Sequence, residues 1–196
     1  MACSARGLMM GNRGGQLHDT ARQLRRRRWV SKQWICCKLA FNGRQREVMA
    51  PHRYTELFFL DEATALAAGH RPCFECRRQE FLWFATLWAA ARGQSGRAAA
   101  PDMDEVLQAE RVDAGGNKVI WQAPAETLPS GTFVRFDESP HLVLAGWLLA
   151  WTPEGYTATV ARPEGVLLDV LTPRAIVAVL SAGYCPMLHP SAEVVG

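Results

Sequence analysis

The sequence predicts an α+β protein, with short helices in its first half and a mainly antiparallel β half that ends in a C-terminal helix. Three observations carry this expectation. Helix-like runs flank a Cys-x-x-Cys at Cys73 and Cys76. Short strand-like runs succeed one another between residues 118 and 171, separated by the turn signals LPSG, TPEG and RPEG. An apolar helix pattern bracketed by Pro173 and Gly183 comes near the end. With 196 residues and 48% apolar content, the chain has enough nonpolar surface for an ordinary core.

In chain order, MGNRGGQLHD at 10–19 has the glycines of a phosphate-wrapping loop, but it lacks the G-K-[ST] ending of a P-loop and reads as a flexible basic arm. YTELFFL at 54–60 has the aromatic and branched content of a strand. Asp61 then stands at a helix N-cap position before EATALAAG, Gly69 suits the C′ position, and Pro72 stops the helix from resuming. After the cysteine pair, residues 77–92 place Phe81, Phe84, Ala85 and Trp88 on one face of an amphipathic helix, as core packing. Asp102 and Glu105 have capping-box spacing for another helix. Strands are expected at 118–121, 132–136, 141–151, 156–161 and 166–171. Thr172 is expected to cap the final helix, with Ile176, Val177 and Leu180 on its apolar face. These elements divide into a cysteine-containing region at 1–92, a linker or loop at 93–101, and a β-rich region at 102–196 that packs beside the first or as one domain with it.

Charge is unevenly distributed. Residues 1–60 hold 12 Lys/Arg and 3 Asp/Glu, whereas residues 101–196 hold 5 and 12. The basic half contains Arg25, Arg26, Arg27, Arg28, Trp29 and Lys32, then Lys38, Arg44, Arg46 and Arg53, with Trp34 among them. Such a surface attracts polyanions, and tryptophans stack on exposed bases, so DNA or RNA is the expected partner. A solvated arginine run with both tryptophans buried is the plainer alternative. The N-terminus lacks the apolar core of a signal peptide, and no apolar run approaches the ~20 residues needed to cross a bilayer, so a soluble, cytoplasmic protein is expected.

In a reducing compartment, closely spaced cysteines are metal ligands or redox thiols more often than disulfides. A Cys-x-x-Cys on a tight turn lets two thiolates reach one tetrahedral ion, and zinc is the metal that suits thiolates in that geometry. The pair follows a helix through Gly69–Pro72, the context of a zinc knuckle rather than of a thioredoxin-type redox motif. One pair is half a site. The nearest further sulfurs are Cys36 and Cys37 in WICCKLAF. Adjacent residues of a regular strand point to opposite faces, so such a strand offers one of the two sulfurs and a bulge or turn offers both. With one, His52, His18 or His70 is the candidate fourth ligand. Cys3, Cys185 and His189 have no assigned partner, and a structural tail is expected around His189.

FFLDEATALAAGHRPCFEC, residues 58–76, resembles the metal-binding domain of the bacterial Ada alkylation-response protein, in which an aromatic pair, a short alanine-rich helix and A-G-aromatic-R-P-C-x-x-C follow in the same order. The resemblance implies that Cys73 and Cys76 are zinc ligands and that upstream thiolates complete the site. In that family one upstream thiolate accepts a methyl group from a DNA phosphotriester. Here the upstream cysteines are adjacent rather than spaced by three, the gap to the second pair is longer, and His70 replaces an aromatic residue. Residues 77–196 match no part of that family. The expected function is therefore a zinc-binding protein contacting nucleic acid through its basic half. The alternatives are an enzyme that takes an alkyl group onto a zinc thiolate such as that of Cys37, or a zinc-stapled protein-interaction domain.

Overall fold

Alternation of inward and outward side chains organises the first sheet. In the computed structural model, which describes residues 4–43 and 47–195, Met9–Asn12 (β1) lies between Ile35–Lys38 (β2) and Leu57–Phe59 (β3), antiparallel to both. The segment expected to be a flexible arm is thus a central strand at its start. Met9 and Met10 each bury their side chains, one on each face of the sheet, and this burial outweighs the conformational freedom of the neighbouring glycines. Cys3, Arg44 and Arg46 lie outside the described residues.

Asp61 caps Glu62–Ala67 (α1), its carboxylate accepting from the Thr64 backbone N–H at 2.8 Å. Gly69 ends the helix at φ +79°, and a Cβ there would stand 2.7 Å from Cδ and 2.9 Å from Cβ of Arg111. Alanine at Gly69 should therefore cost about 2 kcal/mol or more, from left-handed strain plus displacement of a buried arginine. The midpoint of urea unfolding would report it. Beyond Gly69 the chain does not simply loop. Arg71–Pro72 (β4) pairs in parallel with β2, giving a sheet of order β3-β1-β2-β4.

Arg78–Ala90 (α2) buries Phe81, Phe84, Ala85 and Trp88, the face expected from the sequence. These side chains share one core with Leu66 of α1, with Met103 and Leu107 of Ala100–Arg111 (α3), and with Ile176, Val179 and Leu180 of Arg174–Ser181 (α4). Residues 93–101 therefore connect two regions that bury apolar surface against each other.

Neither expected cap forms: Asp102 is an exposed residue in the first turn of α3, and Thr172 stands one residue before the N-cap of α4. Helix α3 begins at Ala100 with no side-chain cap. Asp104, inside its first turns, forms a buried ion pair with Arg71 (2.9 and 2.7 Å), and Glu105 meets Lys32 at 2.5 Å. Pro173 is the N-cap of α4, while the Thr172 hydroxyl accepts from the Phe133 N–H at 2.8 Å. A distant carboxylate, that of Glu110, accepts from the Ala175 N–H at 2.7 Å instead.

The second sheet is antiparallel, in the order β5-β10-β6-β7-β8-β9. Its strands are Trp121–Pro124 (β5), Phe133–Phe136 (β6), Ser139–Leu144 (β7), Trp147–Thr152 (β8), Gly155–Ala161 (β9) and Leu167–Val170 (β10). The expected strand 141–151 is a hairpin, turning at Ala145 (φ +50°) and Gly146 with Leu144 opposite Trp147. The strand expected at 118–121 begins only at its last residue. A short helix, Ser191–Val195 (α5), ends the fold. Helix α1 joins the sheets, because its Ala63 and Ala67 pack against Phe133, Leu142, Leu149 and Tyr156. Among the described residues no helix is long and apolar enough to cross a membrane.

Candidate metal centre

Pairing of β2 with β4 sets the cysteine geometry. The Cys73 N–H donates to the Cys36 carbonyl at 3.0 Å, which holds the turn carrying Cys73 and Cys76 beside β2. The Arg77 N–H donates back to the Cys73 carbonyl at 3.1 Å, closing the knuckle just before α2. Strand alternation then decides which upstream sulfur arrives. Cys37 faces the knuckle, and the sulfurs of Cys37, Cys73 and Cys76 all lie within 4.8 Å of one another. Thiolates tetrahedrally bound to one zinc, with Zn–S near 2.3 Å, stand about 3.8 Å apart. These three buried cysteines are close enough to hold a metal ion.

Cys36, also expected as a ligand, is not in that cluster. β2 is a regular strand without a bulge, so the Cys36 side chain points to the other face, toward Met9 and Ala65. There its sulfur sits 3.8 Å from Arg77 Nη1, and burial raises its pKa to about 12 despite that cation. The histidines lie elsewhere. His18 shares hydrogen bonds with Thr55 Oγ1 (2.6 Å) and the Ala50 carbonyl (3.3 Å), His70 accepts from Arg13 Nε at 3.3 Å while packed on Trp34 and Phe59, and His52 is exposed. Met10, Ile35, Phe41, Tyr54 and Phe58 surround the three sulfurs. Among the described residues, no fourth Cys, His, Asp or Glu joins them.

The electrostatics of the cluster favour one negative charge readily and further charges only with a cation. Hydrogen bonds from the Cys37 and Cys76 thiols, with N–H groups of Cys76 and Glu75, hold Cys73 well below the ordinary thiol range. Cys37, donating to Cys73 and Cys76 and largely desolvated, is pushed far above it. A second or third thiolate in so small a volume needs a divalent ion to offset the repulsion.

The basic residues form a separate surface. Arg25, Arg26, Arg27 and Arg28 are exposed on the loop from β1 to β2, and among the described residues none has a carboxylate partner. They line a groove of about 540 Å³ with Arg13, Phe58 and Phe59. Trp29 is partly exposed and tilts against Trp34 at 6.1 Å. Trp34 is only 2% exposed, and the guanidinium carbons of Arg13 and Arg111 lie over its ring at 3.8 and 4.0 Å, so it is not available for base stacking. Lys32 is engaged by Glu105. Arg13, Arg111 and Lys118 gather near this surface, although the sequence shows no spacing that links them. His189 holds the C-terminal segment in place, its N–H donating to Asp61 at 3.1 Å and its ring meeting the Ser191 hydroxyl at 2.8 Å. Comparison with family models, curated proteins and solved structures finds no match for this chain.

Proposed function

We propose that this chain is a zinc-binding protein whose basic N-terminal half contacts nucleic acid. The convergence of Cys37 with Cys73 and Cys76 carries the metal part, because sulfurs from two distant segments meet where neither a disulfide nor a proton network requires three of them. Zinc fits an all-thiolate donor set, and the Ada-type resemblance of residues 58–76 points the same way. Elemental analysis of reduced, purified protein should find one zinc per chain. Folded protein without metal would overturn the proposal.

The exposed Arg25–Arg28 run and its groove support the nucleic-acid part. Affinity for a short single strand should fall with salt, with a log–log slope of about −0.7 for each phosphate engaged. Glutamine at Arg25, Arg26 or Arg27 should make that slope shallower by a similar increment. A salt-independent affinity would exclude backbone contact.

A second reading is alkyl transfer, which rests on the resemblance of residues 58–76 and requires the buried Cys37 sulfur to become accessible to the alkylated strand. In that reaction the Cys37 sulfur forms a bond to the alkyl carbon, the carbon–oxygen bond of a phosphotriester breaks, and a phosphodiester leaves. Incubation with methylphosphotriester DNA would then raise the intact mass of the zinc-loaded protein by one methyl group. An unchanged mass rules this reading out.

A further inference from the structure

The sheet and helix α3 bring together four cations that no sequence motif connects. Arg13 leaves the end of β1, and its carbonyl accepts from the Val30 N–H at 3.0 Å. Gly14 and Gly15 permit this approach, since a Cβ on them would meet Ser31 and Val30 at 1.9 and 2.9 Å. That contact draws Arg28 in, whose carbonyl lies 3.5 Å from Arg13 Nη1. Arg111 arrives from the last turn of α3 and is only 2% exposed. Lys118 closes the rim, its Nζ donating to the Ala67 carbonyl at 2.8 Å.

These four side chains and Trp34 line an open cavity of about 280 Å³, and no acidic residue is among the described residues that line it. Nearby carboxylates are committed, Asp104 to Arg71 and Glu105 to Lys32. Arg111 is hydrogen-bonded to the Gly69 and Lys32 carbonyls (3.0 and 2.6 Å) and to Gln108, all uncharged acceptors. The carboxylate whose field favours its charge, Asp104, is already paired with Arg71, so Arg111 is only partly compensated. Burial lowers the pKa of Arg111 to about 9, with Asp104 opposing it in part and Arg13 and Arg71 adding to it, and burial beside Arg28 lowers that of Arg13 to about 10. A guanidinium does not shed its proton under ordinary conditions, so an anion is the remaining means of balancing the cluster.

We propose that this cavity binds a phosphoryl group, with Arg13 and Arg111 as its floor and Arg28 and Lys118 as its rim. Several cations around one small opening suit an oxyanion that carries more than one charge, and guanidiniums match its planar pairs of oxygens. The exposed rim leaves room for whatever the phosphate is attached to, either a free phosphorylated small molecule or the backbone of a nucleic acid strand. The proposal is independent of the metal centre.

Calorimetric titration of the full chain with inorganic phosphate, adenosine monophosphate and adenosine tests it. Both phosphate compounds should bind saturably and adenosine should not. Arg28→Gln and Lys118→Gln, both at exposed positions, should each weaken binding about tenfold, the order of a charge-assisted hydrogen bond. Arg135→Gln, on the second sheet, should leave it unchanged. Absence of saturable phosphate binding, equal affinity in all three variants, or adenosine binding as well as its monophosphate would overturn the proposal. Competition separates the sources. If phosphate displaces a bound single strand, the cavity takes a backbone phosphate; if it binds without displacement, the cavity serves a free phosphorylated compound, and both results uphold the site. A strand that fails to bind while phosphate does would remove the nucleic-acid reading and leave this one standing.

Discussion

Serine at Cys73 should abolish stoichiometric zinc and unfold the four-stranded sheet. Strand β4 has two residues, and Cys73 and Cys76 follow it directly. Two backbone hydrogen bonds, Arg71 N–H to the Trp34 carbonyl and Cys73 N–H to the Cys36 carbonyl, tie it to β2, and the Arg71–Asp104 pair ties it to α3. An ion shared by Cys37, Cys73 and Cys76 would be the main further fastening of this turn. Apparent zinc-binding energies of ~10–16 kcal/mol in small metal domains equal or exceed the ~5–15 kcal/mol net stability of a typical protein. Loss of one thiolate should therefore remove most of the stability of residues 9–76. The measurements are zinc per chain and the midpoint of denaturant unfolding, with and without a strong chelator. Wild-type protein in chelator should converge on the variant, and Cys185→Ser, at an exposed thiol, should match untreated wild type. Identical unfolding curves for the Cys73 variant and wild type, with zinc retained in both, would defeat the metal proposal.

Alanine at Glu62 should lower stability by about 3–5 kcal/mol, the usual consequence of leaving a buried charge without its partner. Glu62 and Arg77 have side chains 2% exposed and meet through two hydrogen bonds of 2.8 Å. The same carboxylate accepts from the Tyr184 hydroxyl at 2.6 Å and the Met187 N–H at 3.0 Å, so it ties the C-terminal segment to the start of α1. For a chain of this size the melting temperature should drop by roughly 10 °C or more. Tyr184→Phe, which removes one donor and leaves the pair intact, should cost about 1 kcal/mol. Replacing Glu62 and Arg77 together with methionine should recover much of the loss, because the penalty comes from the orphaned charge rather than from a large net gain of the pair. Equal destabilisation by the single and double changes would contradict that explanation.

The first half was legible wherever local chemistry and final environment agree. Asp61, Gly69 and the Phe81–Trp88 stripe act as their positions in the sequence suggest, because N-caps, left-handed glycines and helix faces depend on residues within a few places of one another. The capping assignments of Asp102 and Thr172 failed for the opposite reason. Phe133, far away along the chain, offers the Thr172 hydroxyl a buried N–H, a stronger claim than an exposed helix end, and Arg71 pairs with Asp104 inside a helix that already starts at Ala100 and leaves Asp102 an exposed residue of its first turn. At Ala145 the hairpin escaped notice because a non-glycine residue takes the left-handed turn position.

From the sequence alone, residue spacing determined the α+β class, the closely spaced pair Cys73 and Cys76, and the concentration of positive charge before residue 60. Strand periodicity also required that only one of Cys36 and Cys37 face a shared centre if the strand stayed regular, though not which one. Pairing of β2 with β4 chose Cys37. The same packing carried Arg111 and Lys118 to Arg13 and buried Trp34 against the guanidiniums of Arg13 and Arg111. Contacts between residues far apart in the chain leave no periodic trace, since each is selected by the sheet register and helix docking that bury the core, and those exist only once the chain has folded.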